Sequence, residues 1–471
     1  MSLFAEAHSG KARFHAIIDT DGGADDLRAI CMLLGNREVE VLAITSSEGA
    51  LTPAAGAGKV TDLLNLFYHE GIPVGEGRSL NITPPMWRGQ SEKINWGGET
   101  NSPSADKRLP AKDLIIQTVI GEEEKVTIIC LGTLTNLNDA LTTQPQLKEH
   151  IEQVIWYNSS VNPLKGSNYD ADPKSADAIL KSGLPVSIVL ENEKLSIPID
   201  AYYLGTLGSI EGIYAKKIVE SHSSVALQTN VSSGHMKAWD DLTVVYLFAP
   251  ELFSSSAVSA NVTAHQLKDA EALVQAKKTI EDILTGKPDS ESRVFYGFPE
   301  FPGFYAVDVA SVAPDIIKKY GHSEWRAGVL TNELHGHLGI YAIVGVKMGI
   351  RAREYFNIGV DDIVAVSYAG SHPPVSCLND GLQVSTGATL GHGLITVAAE
   401  QDIRPEAVFT FKDKTIRLKL KPEYAQKIGK EVMEGIRVHG DLTEAYWLYI
   451  RKLAIKYWQE FDRHEIFDRI Q

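Results

Sequence analysis

Over its first two thirds this chain alternates short apolar runs with amphipathic stretches, and no other feature restricts its fold as much. Residues 15–18 read as a strand running into the loop Asp19-Thr20-Asp21-Gly22-Gly23-Ala24, and a helix over 25–34 follows. A strand at 39–45, a helix around 59–68 and a strand at 72–75 come next. Strand 126–131, a helix near 137–141, strand 154–157, a helix near 174–181 and strand 186–190 continue the series. Strands that are apolar throughout need cover on both faces, so the pattern predicts an α/β fold: an open, mostly parallel sheet with helices on both faces. The stretch 87–108, rich in Gly, Ser and Asn, reads as a long mobile loop of the kind that serves as a lid.

The alternation breaks after a helical stretch at 267–284. A polar run at 286–290 and Pro/Gly punctuation at 300–304 follow, and the tail starts afresh near Gly321-His322-Ser323 with its own strands, Gly-rich loops and a charged helix at 444–461. Since 471 residues exceed what one core usually holds, two domains are expected: 13–322, and a smaller α+β domain over 323–471. The net charge of −15 speaks against a nucleic acid or an anionic membrane as partner, because both require a basic face. No apolar run is long enough to span a bilayer. Cys31, Cys130 and Cys377 are too few and too scattered for a disulfide framework. Phe4-Ala5-Glu6-Ala7 resembles the end of a cleaved signal peptide, so the expected location is cytoplasmic, or periplasmic or secreted if such a leader has been removed.

Asp19-Thr20-Asp21-Gly22-Gly23-Ala24-Asp25-Asp26 is the strongest motif. It falls where the first strand meets the first helix, the edge at which open α/β sheets hold ligands. Four carboxylates in eight residues repel one another, and a helix N-terminus offsets only part of that charge. A hard divalent ion relieves the rest, and calcium accepts the irregular geometry of a loop. The plainer reading makes Asp25 and Asp26 helix caps and Asp19 and Asp21 turn residues. A third reading takes Asp19 as the nucleophile of a haloacid-dehalogenase-type phosphatase with magnesium, which leaves Asp25 and Asp26 without a role.

With three further segments the motif resembles the inosine–uridine nucleoside hydrolase family over roughly residues 13–320. Gly132-Thr133-Leu134-Thr135-Asn136-Leu137 is similar to the family's Gly-Pro-Leu-Thr-Asn, Asn168 with Asp172-Pro173 to its Asn-x-x-x-Asp-Pro, and Trp239-Asp240-Asp241-Leu242 to its His-Asp-Pro-Leu. The resemblance implies a calcium-dependent hydrolase of N-glycosidic bonds acting on a small nucleoside-like molecule, and a homo-oligomer is expected. It implies that Asp21, Asp26, Asp240 and the Thr135 carbonyl bind calcium. Asp21 would also be the general base for a metal-bound water, and Asp25 and Asn168 would hold sugar hydroxyls. Such cleavage passes through an oxocarbenium-like state, and a calcium ion can orient the water and anchor two hydroxyls.

The departures concern substrate. Trp239 stands where the family often has a histidine; it can activate a purine leaving group by stacking or simply pack in the core. His235 is a second candidate acid. Gly166-Ser167-Asn168 replaces Glu-Phe-Asn, and Gly49-Ala50 replaces Gly-Asn, so two sugar contacts are missing. That leaves room for a non-catalytic protein that binds calcium and ligand.

In the tail, Glu333-Leu334-His335-Gly336-His337-Leu338-Gly339, Ser376-Cys377-Leu378-Asn379-Asp380-Gly381 and Thr386-Gly387-Ala388-Thr389-Leu390-Gly391-His392-Gly393 resemble the E-type domain of formylmethanofuran dehydrogenase, over about 325–430. His335, His337 and Cys377 are candidate ligands for a second metal, zinc or another transition metal. Alternatively, the glycines serve tight turns and the histidines cap the helix.

Overall fold

The computed structural model describes residues 12–97, 108–286, 294–360, 362–399 and 402–470. The chain forms two compact units, Ala12–Lys287 and Pro288–Gln471. Among the described residues no helix is long and apolar enough to cross a membrane.

The first unit is built on a nine-stranded sheet: β1 Phe14–Thr20, β2 Val39–Ser46, β3 Val74–Glu76, β4 Leu109–Pro110, β5 Val126–Cys130, β6 Ile151–Asn158, β9 Val186–Leu190, β10 Phe253–Ser259 and β11 Val262–Leu267. A two-residue pair, β7 Ser160–Val161 with β8 Leu164–Lys165, stands apart from it. The strand order is β10-β11-β9-β6-β5-β1-β2-β3-β4, and every pairing is parallel except β10 with β11. From β1 the chain winds outward to β4, then returns to the other side of β1 as β5. The gap between the carboxyl ends of β1 and β5 is therefore a topological switch point, where such sheets hold ligands.

The strands are apolar because both faces are covered. Ile17 packs with Ile128, Val154 and Ile188 in one core, and Ile18 with Ile44, Ile129 and Leu27 in the other. The first strand runs two residues past the expected loop start, so Asp19 and Thr20 belong to β1. Part of the stretch expected to be a mobile loop is firmly held. A short helix spans Arg88–Ser91, and Ile94 and Trp96 are buried in the core; residues 98–107 lie outside the described residues.

The second unit carries a five-stranded sheet of β12 Val364–Ser367, β13 Ile395–Val397, β14 Glu406–Phe411, β15 Lys414–Leu420 and β16 Phe467–Ile470, in the order β13-β12-β14-β15-β16. Only β12 with β13 is parallel. The expected boundary at 322/323 moves to 287/288 because the helices Val307–Ala310 and Ala313–Tyr320 put Val309, Ala313, Ile316 and Tyr320 into this second core, with Trp325 and Trp458. The helix Ile340–Phe356 follows the histidine segment, and Gly336, in the left-handed conformation, ends the helix before it.

Candidate active site

The turn after β1 is shaped by two glycines. Gly22 has φ +85°, and a Cβ there would lie 2.6 Å from Leu51 Cδ1. A Cβ on Gly23 would lie 2.5 Å from Asp25 Oδ1 and 2.8 Å from Asp26 Oδ2, so only glycine lets the carboxylates close round the turn. The helix Ala24–Gly35 begins here with Asp25 and Asp26 in its first turn. Asp26 is buried and accepts hydrogen bonds from Thr20 Oγ1 (2.5 Å), the Asp21 N–H (2.9 Å) and the Gly23 N–H (3.0 Å). Asp240 arrives from far along the chain, at the head of the helix Asp241–Phe248.

Asp25, Asp26 and Asp240 each offer an oxygen within 4.8 Å of the other two. Asp240 is buried, and its Oδ1 has no hydrogen-bond partner. Burial, with Asp25, Asp26 and Asp21 as neighbours, pushes the Asp240 carboxyl well above the usual range. Burial followed by Asp26 and Asp25 does the same to Asp21, against hydrogen bonds from the Ala50 and Gly23 N–H groups. Asp25 is pushed up to about 7 by burial and then by Asp26. The cluster thus holds more negative charge than its protein surroundings neutralise, together with an orphaned buried oxygen. This donor set fits a hard divalent cation.

Asp25, expected to meet a sugar hydroxyl, thus lies in the same cluster as Asp26 and Asp240. Thr135 is the first residue of the helix Thr135–Thr143, where carbonyls belong to the helical ladder, and its hydroxyl donates to Asp172 (2.7 Å). At the end of β5, beside the turn, the Leu131 carbonyl accepts from Asn168 Nδ2 (2.7 Å). Asn168 also donates to the Tyr157 carbonyl (3.1 Å), so its amide nitrogen bridges the ends of β5 and β6. Asp19 is no candidate nucleophile. It is buried inside the sheet, where its Oδ1 accepts from Thr45 Oγ1 (2.7 Å) and Asn136 Nδ2 (2.8 Å), and burial pushes it up to about 7.

Trp239 is partly exposed, and its Nε1 donates to Glu191 Oε2 (3.1 Å). Glu191, just past β9, also pairs with Lys237 (2.7 Å). His235 is exposed and bonded to Ser233 Oγ (2.6 Å). The glutamate missing at position 166 has a steric cause: Gly166 has φ +145°, and a Cβ there would lie 2.7 Å from Asn158 Oδ1.

Several residues of the site carry no local sequence signal. Arg28 is buried and reaches Asp241 with Nε (2.9 Å) and Nη2 (2.8 Å), the Lys237 carbonyl with Nη2 (2.7 Å) and His222 Nε2 with Nη1 (2.8 Å). The ring's Nδ1 lies 2.8 Å from the Ile218 carbonyl, so Nδ1 donates there and Nε2 accepts from Arg28. This array fixes the helix of Asp240 against the helix of Asp25. On the other wall Glu48 accepts from Ser79 Oγ (2.7 Å), the Leu80 N–H (2.8 Å) and Arg88 (3.2 Å). Burial raises the Glu48 carboxyl, but these bonds outweigh it and hold the group below the usual range. Burial, then Glu191, Asp240 and Asp25, pushes the Tyr157 hydroxyl upward.

In the second unit, Asp380 Oδ2 lies 2.7 Å from His335 Nδ1, and the buried His335 Nε2 has no hydrogen-bond partner. The His335 and His337 rings are 4.3 Å apart, and Cys377 heads the helix Leu378–Thr386 that carries Asp380. Among the described residues, His335, His337 and Cys377 do not bring their ligand atoms within 4.8 Å of one another as a set.

Comparison with known proteins bears on both units. The model of the inosine-uridine preferring nucleoside hydrolase family matches residues 16–295, and that of the family described as FmdE, molybdenum formylmethanofuran dehydrogenase operon, matches residues 334–468. The pyrimidine-specific ribonucleoside hydrolase RihA of Escherichia coli O81 is 31% identical over 183 residues, which is 36% of this chain and 58% of the relative's length. RihA of Shewanella oneidensis is 26% identical over 315 residues, 63% of this chain and 95% of that protein. Among solved structures, a plant nucleoside hydrolase (23% identity, TM-score 0.47) and a purine-preferring ribonucleoside hydrolase from Gardnerella vaginalis (19%, 0.47) each cover 57% of this chain and 99% of their own. With the first family model spanning well over half of its length, the chain belongs to the inosine-uridine preferring nucleoside hydrolase family.

Proposed function

We propose that this protein hydrolyses the N-glycosidic bond of a nucleoside or related ribosyl compound, with a calcium ion at the aspartate cluster. The observation that carries the reading is the convergence of Asp25, Asp26 and Asp240, with Asp240 Oδ1 orphaned, at the switch point of the sheet. Asp21, Asp26 and Asp240 would hold the ion. The Thr135 carbonyl, at the first residue of its helix, would join them. When bound, calcium supplies Lewis acidity and a template for two hydroxyls. Asp21, whose carboxyl burial and the neighbouring aspartates raise above the ordinary range, would take the proton of an attacking water. Asp25 and Asn168 hold sugar hydroxyls, the latter through its amide oxygen because its nitrogen bridges two strand ends. Trp239, its indole edge tethered by Glu191, offers a face for a leaving base.

In the second unit, zinc or another transition metal is proposed at His335, His337 and Cys377. The support is the carboxylate behind His335, which holds the ring at Nδ1 and leaves Nε2 without a hydrogen-bond partner, as in many histidine ligands.

The test is release of free base from a panel of purine, pyrimidine and nicotinamide ribosides, with calcium and with chelator. Calcium-dependent release from any member supports the hydrolase. Bound calcium without release from any member would overturn it in favour of a ligand-binding protein, the reading that the lost contacts at Ala50 and Gly166 favour. Sizing of the same preparation tests the proposed homo-oligomer.

A further inference from the structure

The opposite edge of the same sheet carries a second group of ligating side chains, which the hydrolase reading does not use. His15 is the second residue of β1, Glu40 lies beside it in register on β2, and Glu122 caps the helix Ala111–Gly121 just before β5. The three come from separate elements, yet each offers an atom within 4.8 Å of the other two. Their side chains are largely shielded, at 11%, 15% and 6% exposure. Six residues of strand separate His15 from Asp21, roughly 20 Å, so this group is distinct from the aspartate cluster.

The spacing is informative. His15 Nδ1 lies 3.7 Å from Glu40 Oε2 and 3.4 Å from Glu122 Oε1, longer than good N–H···O hydrogen bonds. Two ligands bound tetrahedrally at about 2.1 Å from one ion stand about 3.4 Å apart, which is the separation found here. Charge points the same way. Two carboxylates and a neutral imidazole together match the charge of one divalent ion. The carboxyl end of the helix Ala111–Gly121 adds partial negative charge at the same spot. Glu122 Oε1 also accepts from the Glu123 N–H (3.2 Å), which holds the carboxylate in place.

We infer that His15, Glu40 and Glu122 form a second cation site in the hydrolase unit, for a divalent transition ion of the zinc class, with water as the remaining ligand. One nitrogen and two carboxylate oxygens suit zinc better than calcium, which prefers six or more oxygens. Bound there, the ion ties β1 and β2 to the start of β5, beneath the turn that carries the aspartates.

The test is equilibrium dialysis of the full-length protein against zinc with calcium in excess, and bound zinc measured by elemental analysis. His15→Gln and Glu122→Gln are each expected to bind one equivalent less zinc than the parent. Cys377→Ser, in the other unit, should leave that difference unchanged. Equal zinc in the parent and both variants overturns the site. Should those variants not fold, Glu40→Gln, the most exposed of the three, takes their place. Anomalous diffraction at the zinc edge from parent crystals soaked in zinc gives an independent reading: a peak between the three side chains supports the site, and its absence overturns it.

Discussion

Both units bury charge, in opposite ways. In the first unit Asp21, Asp25, Asp26 and Asp240 crowd together; burial and mutual repulsion push Asp21, Asp25 and Asp240 up. In the second unit Glu324 and Lys347 are wholly buried and meet at 2.5 Å, with the Lys347 ammonium 3.6 Å over the Tyr320 ring. Arg463 bridges Glu324 (3.0 Å) and Glu354 (2.6 Å), and His464 lies 3.0 Å from Glu354. Burial alone would raise Glu354; Arg463 and His464 outweigh it and hold the group far below the usual carboxylate range. Burial lowers Lys347 to about 8, with Glu324 acting against it. One network is complete within the protein; the other is short of positive charge. Mutual repulsion between carboxylates, rather than burial alone, separates the cluster from the brace.

The comparison breaks first at Asp21. Asp21→Asn keeps the shape and removes the proposed base, so turnover in calcium should fall about 10²–10⁴-fold with circular dichroism unchanged; full activity would overturn the proposed role. Next comes the braced network. Lys347→Met leaves Glu324 with Arg463 alone, and a loss of about 3 kcal/mol is expected in the second unit, read by urea unfolding with peptide-resolved hydrogen exchange. The third contrast has the opposite sign. Asp240→Asn removes a charge that its neighbours repel, so calcium-free protein should gain about 1–3 kcal/mol in the first unit while losing the stabilisation that calcium gives the parent. A calcium-free variant less stable than the parent would mean that the cluster is internally balanced.

The smallest effect concerns His222, which burial, then Arg28, lowers to about 3. Its folded value lies below its unfolded one near 6.5, so its contribution is intact above about 6.5 and is lost as pH falls from there toward about 3. The slope is at most about 1.4 kcal/mol per pH unit. Replacing His222 with Gln should flatten that part of the stability profile; an unchanged slope would show that the ring does not carry it.

The sequence exposes what is local. The β1 turn, its glycines and its aspartates lie within eight residues, and the alternation of elements follows from strands buried on both faces. What is joined across the chain escapes it. Arg28 and Asp241 stand 213 residues apart, and neither position has a pattern that betrays the other. Glu191 behind Trp239 escapes for the same reason. Asp19 reads as part of the loop because an aspartate after an apolar run resembles a turn, whereas Thr45 and Asn136 make it a buried strand residue. The boundary reads too late in the chain because the short helices at 307–320 follow Pro/Gly punctuation on either side, and only the packing of Ile316 and Tyr320 shows which core owns them.

The wide separation of the aspartates also sets an order of events during synthesis. Asp21, Asp25 and Asp26 leave the ribosome early, while Asp240 follows more than two hundred residues later, after every parallel strand of its own sheet except β11. A nascent chain ending near β9 thus owns three repelling carboxylates and no closing partner. A cation can act only as a late latch, fastening a sheet already largely laid down, and the glycine turn must tolerate that interval unaided.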